Sequence, residues 1–287
     1  MCQALLVTES TNAVPTLTFN DGQTIPQLGF GVFRVDPDET ERIVTDALEV
    51  GYRHIDTAAV YGNEEGVGRA IEKSGIPRDE LFITTKLWNS DQGTQSAFDA
   101  VDLSLEKLRL DSVNLYLIHW PVPSRNLFIE SWKALEQIHA DGKAASIGVS
   151  NFRIPDLDRV LAETETVPVL NQIELHPLFT QLPLRDYGAA HGILTESWGP
   201  LGHARINLFD EGPIAAAATA HGVSPAQVII RWHLQNGLVV IPKSNSRERM
   251  AQNFDVFGFE LSADELAAIS ALNQDRRSGG HPDQVGA

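Results

Sequence analysis

Cysteine is nearly absent from this chain, because Cys2 is the only one among 287 residues. A single cysteine cannot form an internal disulfide, which is typical of proteins in a reducing compartment. Residues 1–15 also lack the basic region and the long apolar stretch of a secretory signal peptide. We therefore expect a cytoplasmic protein with a flexible N-terminal segment over residues 1–15.

Positive charge is scarce and long apolar runs are missing. The chain has 22 Lys and Arg against 38 Asp and Glu, which gives a formal net charge of −16. Such a charge repels phosphate backbones and anionic lipids, so we expect neither nucleic acid nor a membrane as a partner. No stretch approaches the roughly 20 apolar residues that span a bilayer. The hydrophobic content of 43% is that of a globular protein with a large core.

Strand-like and helix-like segments alternate along the chain. A predicted hairpin over residues 16–26 comes first, and residues 28–31 and 38–50 then form a strand and a helix. Seven further units repeat this order. Their predicted strands are 52–55, 81–87, 113–118, 145–149, 169–173, 193–197 and 238–242, and their helices are 64–73, 95–108, 127–141, 155–162, 184–190, 213–237 and 247–253.

Eight such units without a linker predict an α/β protein with one (β/α)8 TIM barrel over residues 16–287, whose leading hairpin covers one end. A doubly wound open sheet is the alternative, and it predicts a Gly-x-Gly-x-x-Gly fingerprint after the first strand. Arg34 stands where the third glycine belongs, and Gly66 and Gly68 lie inside a helical pattern. Walker-type and His-Glu-x-x-His motifs are absent, so we expect no metal.

Polar and aromatic side chains follow seven of the eight predicted strands. The carboxyl ends of the strands are where a barrel of this kind builds its site. These residues are Asp56 and Tyr61, Lys86 and Trp88, His119 and Trp120, Ser150 and Asn151, Gln172 and Glu174, Ser197 and Trp198, and Lys243 and Ser244. Loops are polar in general, but so regular a distribution favours a functional site.

Asp56, Tyr61 and Lys86 suggest proton chemistry. A free tyrosine has a pKa of about 10, and we expect Lys86 to lower that of Tyr61 towards physiological pH, which makes a usable general acid. A lysine at the end of a buried strand needs a counter-ion, and Asp56 is the natural one. The alternatives are a helix-capping role for Asp56 and simple half-buried packing for Tyr61.

Three histidines require separate interpretations. His119 follows the strand next to that of Lys86, where it could orient a substrate carbonyl oxygen through a hydrogen bond. The alternative for His119 is a hydrogen-bonded core histidine. For His54 and His176 we prefer the core interpretation.

Several stretches resemble the aldo-keto reductases, and they occur in the order of that family. They are GYRHIDTA at 51–58 with YGNE at 61–64, TTKLW at 84–88, YLIHWP at 116–121, IGVSNF at 147–152, NQIELHP at 171–177 and IPKS at 241–244. The resemblance extends from about residue 16 to the C-terminus. The stretches 197–202 and 254–257 look most like the bacterial 2,5-diketo-D-gluconate reductases.

The resemblance implies NADPH-dependent reduction of an aldehyde, a ketone or a keto-sugar such as 2,5-diketo-D-gluconate, with NADP+ as the other product. It places Asp56, Tyr61, Lys86 and His119 on the catalytic tetrad, in which the tyrosine supplies the proton. The implied cofactor contacts are Gly31, Val32, Ser150, Asn151, Gln172, Trp198, Gly199, Leu201, Lys243, Ser244, Arg249 and Asn253. Phe33, Trp88 and Trp120 match the substrate pocket, and a C-terminal loop would lie over the active-site face.

The end of the cofactor site carries its own prediction. In an acidic chain, Lys243, Arg247 and Arg249 suit a phosphate monoester, so NADPH should bind more tightly than NADH. Ser246 stands where close relatives often have arginine, which predicts a looser grip on the adenosine end. We expect a monomer whose partner is a small carbonyl substrate.

Two other function classes remain as alternatives. The same fold serves as a potassium-channel accessory subunit, so a non-catalytic or slow cofactor-binding sensor is the first. This chain shows no extended tail or evident partner surface in favour of it. A metal hydrolase is the second, and it would need several converging ligands where the strand ends offer only His119.

Overall fold

The computed structural model describes residues 14–285. The predicted flexible segment therefore lies outside the described residues, except for Val14 and Pro15. Within the described range, no helix is long and apolar enough to cross a membrane.

Eight parallel strands form a closed barrel, preceded by a two-stranded antiparallel hairpin. The hairpin consists of β1 Thr16–Thr18 and β2 Thr24–Pro26, and the barrel of β3 Phe30–Gly31, β4 His54–Asp56, β5 Phe82–Leu87, β6 Val113–Ile118, β7 Ala144–Ser150, β8 Leu170–Glu174, β9 Leu194–Trp198 and β10 Val239–Val240. Leu28 closes the barrel through a parallel bridge to Val240, and the Gly29 N–H donates to the Val240 carbonyl oxygen at 2.9 Å. The predicted barrel is confirmed.

Helices follow the strands and bury their apolar faces against them. They are α1 Pro37–Val50, α2 Glu64–Ser74, α3 Thr94–Leu108, α4 Phe128–Ala140, α5 Ile154–Glu163, α6 Leu182–Ala190, α7 Gly212–His221, α8 Pro225–Gln235, α9 Arg247–Phe254 and α10 Ala263–Ser270. In α1, the Asp36 side chain caps the first turn and Pro37 begins the helix. Ile43 and Ala47 lie one turn apart on its buried face.

The region after β9 differs from the prediction of one helix over residues 213–237. Gly222 ends α7 with a φ of 67°, and Ser224 begins α8 through a capping box with Gln227. A second capping box, between Ser262 and Glu265, begins α10, which was not predicted. Between α7 and α8 the local start signal at Ser224 decides the structure over the longer apolar pattern.

The hairpin covers the N-terminal end of the barrel. The Phe19 ring lies 6.3 Å from that of Phe82, between ring centroids, and the Ser146 hydroxyl donates to Asp21 at 2.6 Å. The apolar residues of this end are Phe19, Ile25, Phe82, Leu115, Leu117, Val169, Leu170 and Val239. Because this end is filled, a large site can form only at the opposite, C-terminal end of the strands.

Gly68 permits the close approach of α2 to α3. A Cβ at this position would lie 2.6 Å from the Lys107 carbonyl oxygen and 2.7 Å from the Leu108 carbonyl carbon. Both are backbone atoms, so the helices would have to separate to admit a methyl group.

We expect Gly68→Ala to lower the free energy of unfolding by about 1–2 kcal/mol, because overpacking costs about 1–3 kcal/mol and alanine recovers up to about 1 through helix propensity. Gly212→Ala in α7 is the matched control, since a Cβ there meets nothing within 4 Å. Equilibrium unfolding in urea measures both. Equal stability of the two variants would contradict the close approach.

Candidate active site

A cavity of about 1260 Å³ opens at the C-terminal end of the strands. Of the residues predicted for the site, those that line the cavity are Gly31, Phe33, Asp56, Tyr61, Trp88, His119, Trp120, Ser150, Asn151, Gln172, Trp198, Gly199, Leu201, Lys243, Ser244, Arg249 and Asn253. Glu174 and Ser197 from the strand ends do not line it, and neither do two residues with predicted catalytic or cofactor roles. Lys86 lies fully buried behind the cavity wall, and Val32 lies in the core. The backbone of Val32 is already engaged, because its N–H donates to the Asp56 backbone carbonyl oxygen and its own carbonyl oxygen accepts from the Asn63 side chain.

Asp56 and Lys86 form an ion pair at the ends of β4 and β5. The Lys86 ammonium donates to both Asp56 carboxylate oxygens, at 2.7 and 2.8 Å, and to the Thr57 carbonyl oxygen at 2.8 Å. These bonds use all three of its hydrogens. Burial is the largest single effect and would lower the pKa of Lys86. The charge and hydrogen bonds of Asp56, together with Tyr61 and Glu196, outweigh burial, so the pKa is raised and the cation is kept.

Tyr61 lies in a short 3₁₀ turn directly after β4, ended by Gly62 with a φ of 68°. The Lys86 ammonium is 5.2 Å from the centre of its ring. The expected lowering of its pKa is wrong for this structure. Burial raises the pKa of Tyr61 to about 12, because the attraction of Lys86 is smaller than the effect of burial together with Asp56 and Glu196. The phenol therefore keeps its proton at neutral pH.

His119 lines the cavity between aromatic rings. Its ring centroid is 5.7 Å from that of Tyr61 and 5.1 Å from that of Trp88. Burial, aided by the positive charge of Lys86, holds the pKa of His119 well below its usual value. The imidazole is neutral, and within residues 14–285 its Nδ1 has no hydrogen-bond partner.

Four polar side chains form a continuous network along the cavity floor. Trp198 Nε1 donates to Asn151 Oδ1 at 2.9 Å, and Asn151 Nδ2 donates to the Ser150 hydroxyl at 3.0 Å. The Ser150 hydroxyl donates to the Gln172 carbonyl oxygen at 2.8 Å. Gln172 Nε2 in turn donates to Asp56 Oδ2 at 2.7 Å, so the network reaches the buried ion pair.

The far end of the cavity contains Lys243, Ser244 and Arg249. Ser246, which stands where close relatives often have arginine, caps α9. Its side chain accepts from the Arg249 backbone N–H. Arg247 does not join the other cations. Its guanidinium pairs with Glu49 and with Asp46, the latter at 3.0 Å.

The C-terminal segment lies over the active-site face, as expected. The Ser278 hydroxyl and the Gly279 N–H donate to Glu174, at 2.6 and 3.0 Å, and Gly280 lines the cavity. Burial opposes ionisation of Glu174, but hydrogen bonds from His176, Ser278 and Gly279 outweigh it and hold its pKa at about 2. An ionised carboxylate thus anchors this segment.

Glu196 was missed from the sequence. It lies fully buried in β9, where its carboxylate accepts from Gln172 at 2.8 Å. The sequence does contain a signal for it, namely a charged residue inside a predicted barrel strand. Because side chains alternate along a strand, Glu196 lies on the same inner face as Trp198. His54 and His176, for which a core position was preferred, are fully buried.

Comparison with known proteins gives a consistent set of relatives. A sequence model described as the Aldo/keto reductase family matches residues 27–274. An aldo-keto reductase of Mycolicibacterium smegmatis is 51% identical over 93% of this chain and 97% of its own length. Methylglyoxal reductase DkgA of Escherichia coli strain K12 is 50% identical over 96% of this chain and 99% of its own length.

Solved structures agree with these relatives. A point mutant of Gox0644 in complex with NADPH has a TM-score of 0.90 and 48% identity, and the match covers 95% of this chain and 98% of that one. Bombyx mori aldo-keto reductase AKR2E4 in complex with NADP has a TM-score of 0.89 and 36% identity, with 95% and 97% covered.

The buried ion pair yields a stability prediction. We expect Lys86→Met to lower the free energy of unfolding by about 3–5 kcal/mol, because Asp56 is left as an unpaired buried charge. Adding Asp56→Asn should recover part of that loss, since the remaining pair is neutral. Urea unfolding of the two single variants, the double variant and the parent measures the coupling.

The exposed pair of Lys143 with Asp102 provides the control. Lys143→Met should change stability little, because exposed ion pairs contribute less than about 1 kcal/mol. Additive effects of Lys86→Met and Asp56→Asn would contradict the coupling of the two buried side chains.

Proposed function

Because this chain belongs to the aldo/keto reductase family, we propose that it reduces small aldehydes, ketones or keto-sugars with NADPH, with Tyr61 as the proton donor. Membership confirms the predicted class of oxidoreductase and, with it, the family's use of NADP(H). When bound, NADPH supplies the hydride.

The observation that carries this proposal is the position of Tyr61 on the cavity wall, with the ammonium of Lys86 5.2 Å from the centre of its ring. Reduction of a carbonyl leaves negative charge on its oxygen, which must receive a proton. Tyr61 can donate that proton, and the buried charge of Lys86 stabilises the phenolate that remains. Asp56 keeps Lys86 charged and in place.

His119 supports the same step in a different role. Its neutral imidazole can hold the substrate carbonyl oxygen by a hydrogen bond. A neutral imidazole is a much weaker proton donor than an imidazolium, so we assign His119 to orientation and Tyr61 to proton transfer.

The cavity suits a dinucleotide together with a small substrate. Its volume of about 1260 Å³ exceeds the roughly 300–1000 Å³ of a typical small-molecule pocket. We propose that Ser150, Asn151 and Gln172 hold the nicotinamide carboxamide and that Trp198 stacks on its ring. Gly31, Gly199, Leu201 and Asn253 would border the groove that leads to Lys243, Ser244 and Arg249, the proposed 2′-phosphate site.

Aromatic side chains form the wall proposed to receive the substrate. Phe33 lies 5.0 Å from Tyr61 between ring centroids, and Trp88 and Trp120 flank His119. A relative named methylglyoxal reductase, 50% identical, supports methylglyoxal as a first substrate to test. We further propose that the protein acts as a monomer in the cytoplasm, a reducing compartment that suits its single cysteine.

The role of Tyr61 is tested by Tyr61→Phe. We expect single-turnover reduction of methylglyoxal to slow by about 100- to 10,000-fold, because the general acid is lost. NADPH affinity, measured by fluorescence titration, should stay within about twofold, since the proposed cofactor contacts are untouched. The control is Tyr116→Phe, which removes a hydroxyl that is buried and has no partner among the described residues.

Reduction at the parent rate by Tyr61→Phe would contradict the proposed mechanism, and His119 would become the next candidate for the proton donor. A parent chain that binds NADPH but reduces no carbonyl on a broad panel would instead favour the sensor function.

Cofactor preference depends on Arg249, which forms no ion pair among residues 14–285 and lines the cavity. We expect Arg249→Ala to weaken NADPH binding about tenfold and to leave NADH binding nearly unchanged, because only NADPH carries the 2′-phosphate. Arg247→Ala is the matched control, since Arg247 pairs with Asp46 and Glu49. Equal weakening of both cofactors would show that Arg249 does not contact the 2′-phosphate.

A further inference from the structure

Glu196 takes no direct step in the mechanism proposed above, although it lies beneath the cavity floor, next to Gln172. Its side chain is fully buried, and its Oε2 accepts a hydrogen bond from Gln172 Nε2 at 2.8 Å. A buried carboxylate without a cation of its own is costly to maintain. Its position beside a proposed cofactor contact calls for a physical explanation.

The Gln172 side-chain amide is held from below by the carboxyl groups of Asp56 and Glu196. The nitrogen that donates to Glu196 also donates to Asp56 Oδ2, at 2.7 Å. Each of the two amide hydrogens thus has its own acceptor. Asp56 is paired with Lys86 and can only accept, so the amide nitrogen must face the floor.

The opposite side of this amide faces the cavity. Gln172 lines the cavity, and no group within residues 14–285 donates to its Oε1. The oxygen is therefore available as an acceptor for a bound molecule. Oε1 and Nε2 are bonded to the same carbon of the planar amide. Because Nε2 is held on the floor side by Asp56 and Glu196, Oε1 points away from the floor.

The charges around Glu196 favour its neutral form. The groups that face it are Asp56 and His54 from β4, Lys86 from β5 and Gln172 from β8. Burial and the charge of Asp56 raise the pKa of Glu196 to about 8, against smaller opposing effects of Gln172 and Lys86. Burial also lowers the pKa of His54 to about 3, so His54 is neutral. The charged groups among these four neighbours and Glu196 are then the Lys86 cation and the Asp56 anion.

We propose that Glu196 is a positioning residue for the nicotinamide site. With Asp56 it fixes the Gln172 amide so that Oε1 accepts a hydrogen bond from the carboxamide NH2 of the cofactor. This inference rests on the proposed function, in which Gln172 contacts that carboxamide.

The decisive comparison uses two dinucleotides, NADP+ and its 3-acetylpyridine analogue, in which a methyl group replaces the carboxamide NH2. Glu196→Leu removes the acceptor that holds Gln172. We expect it to weaken NADP+ binding by about five- to tenfold, the equivalent of one hydrogen bond, and to leave analogue binding within about twofold. Glu196→Ala gives the same comparison without the bulk of leucine if the first variant does not fold.

Glu196→Gln should rescue the selective loss, because its amide oxygen still accepts from Gln172 Nε2. The matched control is Glu64→Leu, another buried carboxylate, which accepts from the Thr85 hydroxyl at 2.6 Å and does not contact Gln172. It should not discriminate between the two dinucleotides. Fluorescence titration of each variant with both ligands gives the dissociation constants.

The charge state of Glu196 is checked by thermal unfolding as a function of pH. A pKa raised from 4.5 to about 8 contributes stability that is complete below pH 4.5 and is lost as the pH rises to about 8. Glu196→Gln does not titrate, so we expect its melting temperature to fall less than that of the parent over this range.

Equal weakening of NADP+ and the analogue by Glu196→Leu would overturn the inference and show general damage to the floor. Unchanged binding of both would also overturn it, because Gln172 would then be oriented without Glu196. A parent chain that binds neither dinucleotide would overturn the proposed function itself, and this inference with it.

Discussion

The ion pair between Asp56 and Lys86 is the interaction on which the rest of the site depends. Burying either charge alone costs several kcal/mol, so each side chain is acceptable in the barrel only because the other is present. The pair places a cation behind Tyr61 and a carboxylate beneath Gln172. One buried interaction therefore supports both the proposed proton donor and the proposed cofactor contact.

The barrel keeps this polar assembly at one end. The hairpin fills the N-terminal end with apolar side chains, and Phe82 and Lys86 lie on the same inner face of β5 because side chains alternate along a strand. The interior of the barrel thus changes from apolar at Phe82 to polar at Lys86 within the single strand β5. Glu196, Asp56 and Gln172 lie on the polar side of that boundary, where each side chain requires a specific partner.

Strand order and about half of the cavity lining could be predicted. Periodicity and the residues at strand ends, which are local features, indicated the strands and the centre of the site, and the family resemblance added residues such as Gly199, Leu201 and Asn253. The break between α7 and α8 was equally local, yet the long apolar pattern concealed the signal at Ser224. Other properties depend on distant residues. Arg247 lies 201 positions from Asp46, and the pKa of Tyr61 follows from a balance of burial and charge that only the folded site defines.

Tyr61 keeps its proton in the intact site, and the buried cation of Lys86 lies close enough to stabilise its phenolate. Ultraviolet titration at about 295 nm, the phenolate band, taken as the difference between the parent and Tyr61→Phe, isolates this residue among the four tyrosines. We expect no phenolate signal from Tyr61 between pH 7 and about 10, because burial raises its pKa to about 12. A phenolate signal that appears near pH 7–8 would contradict it.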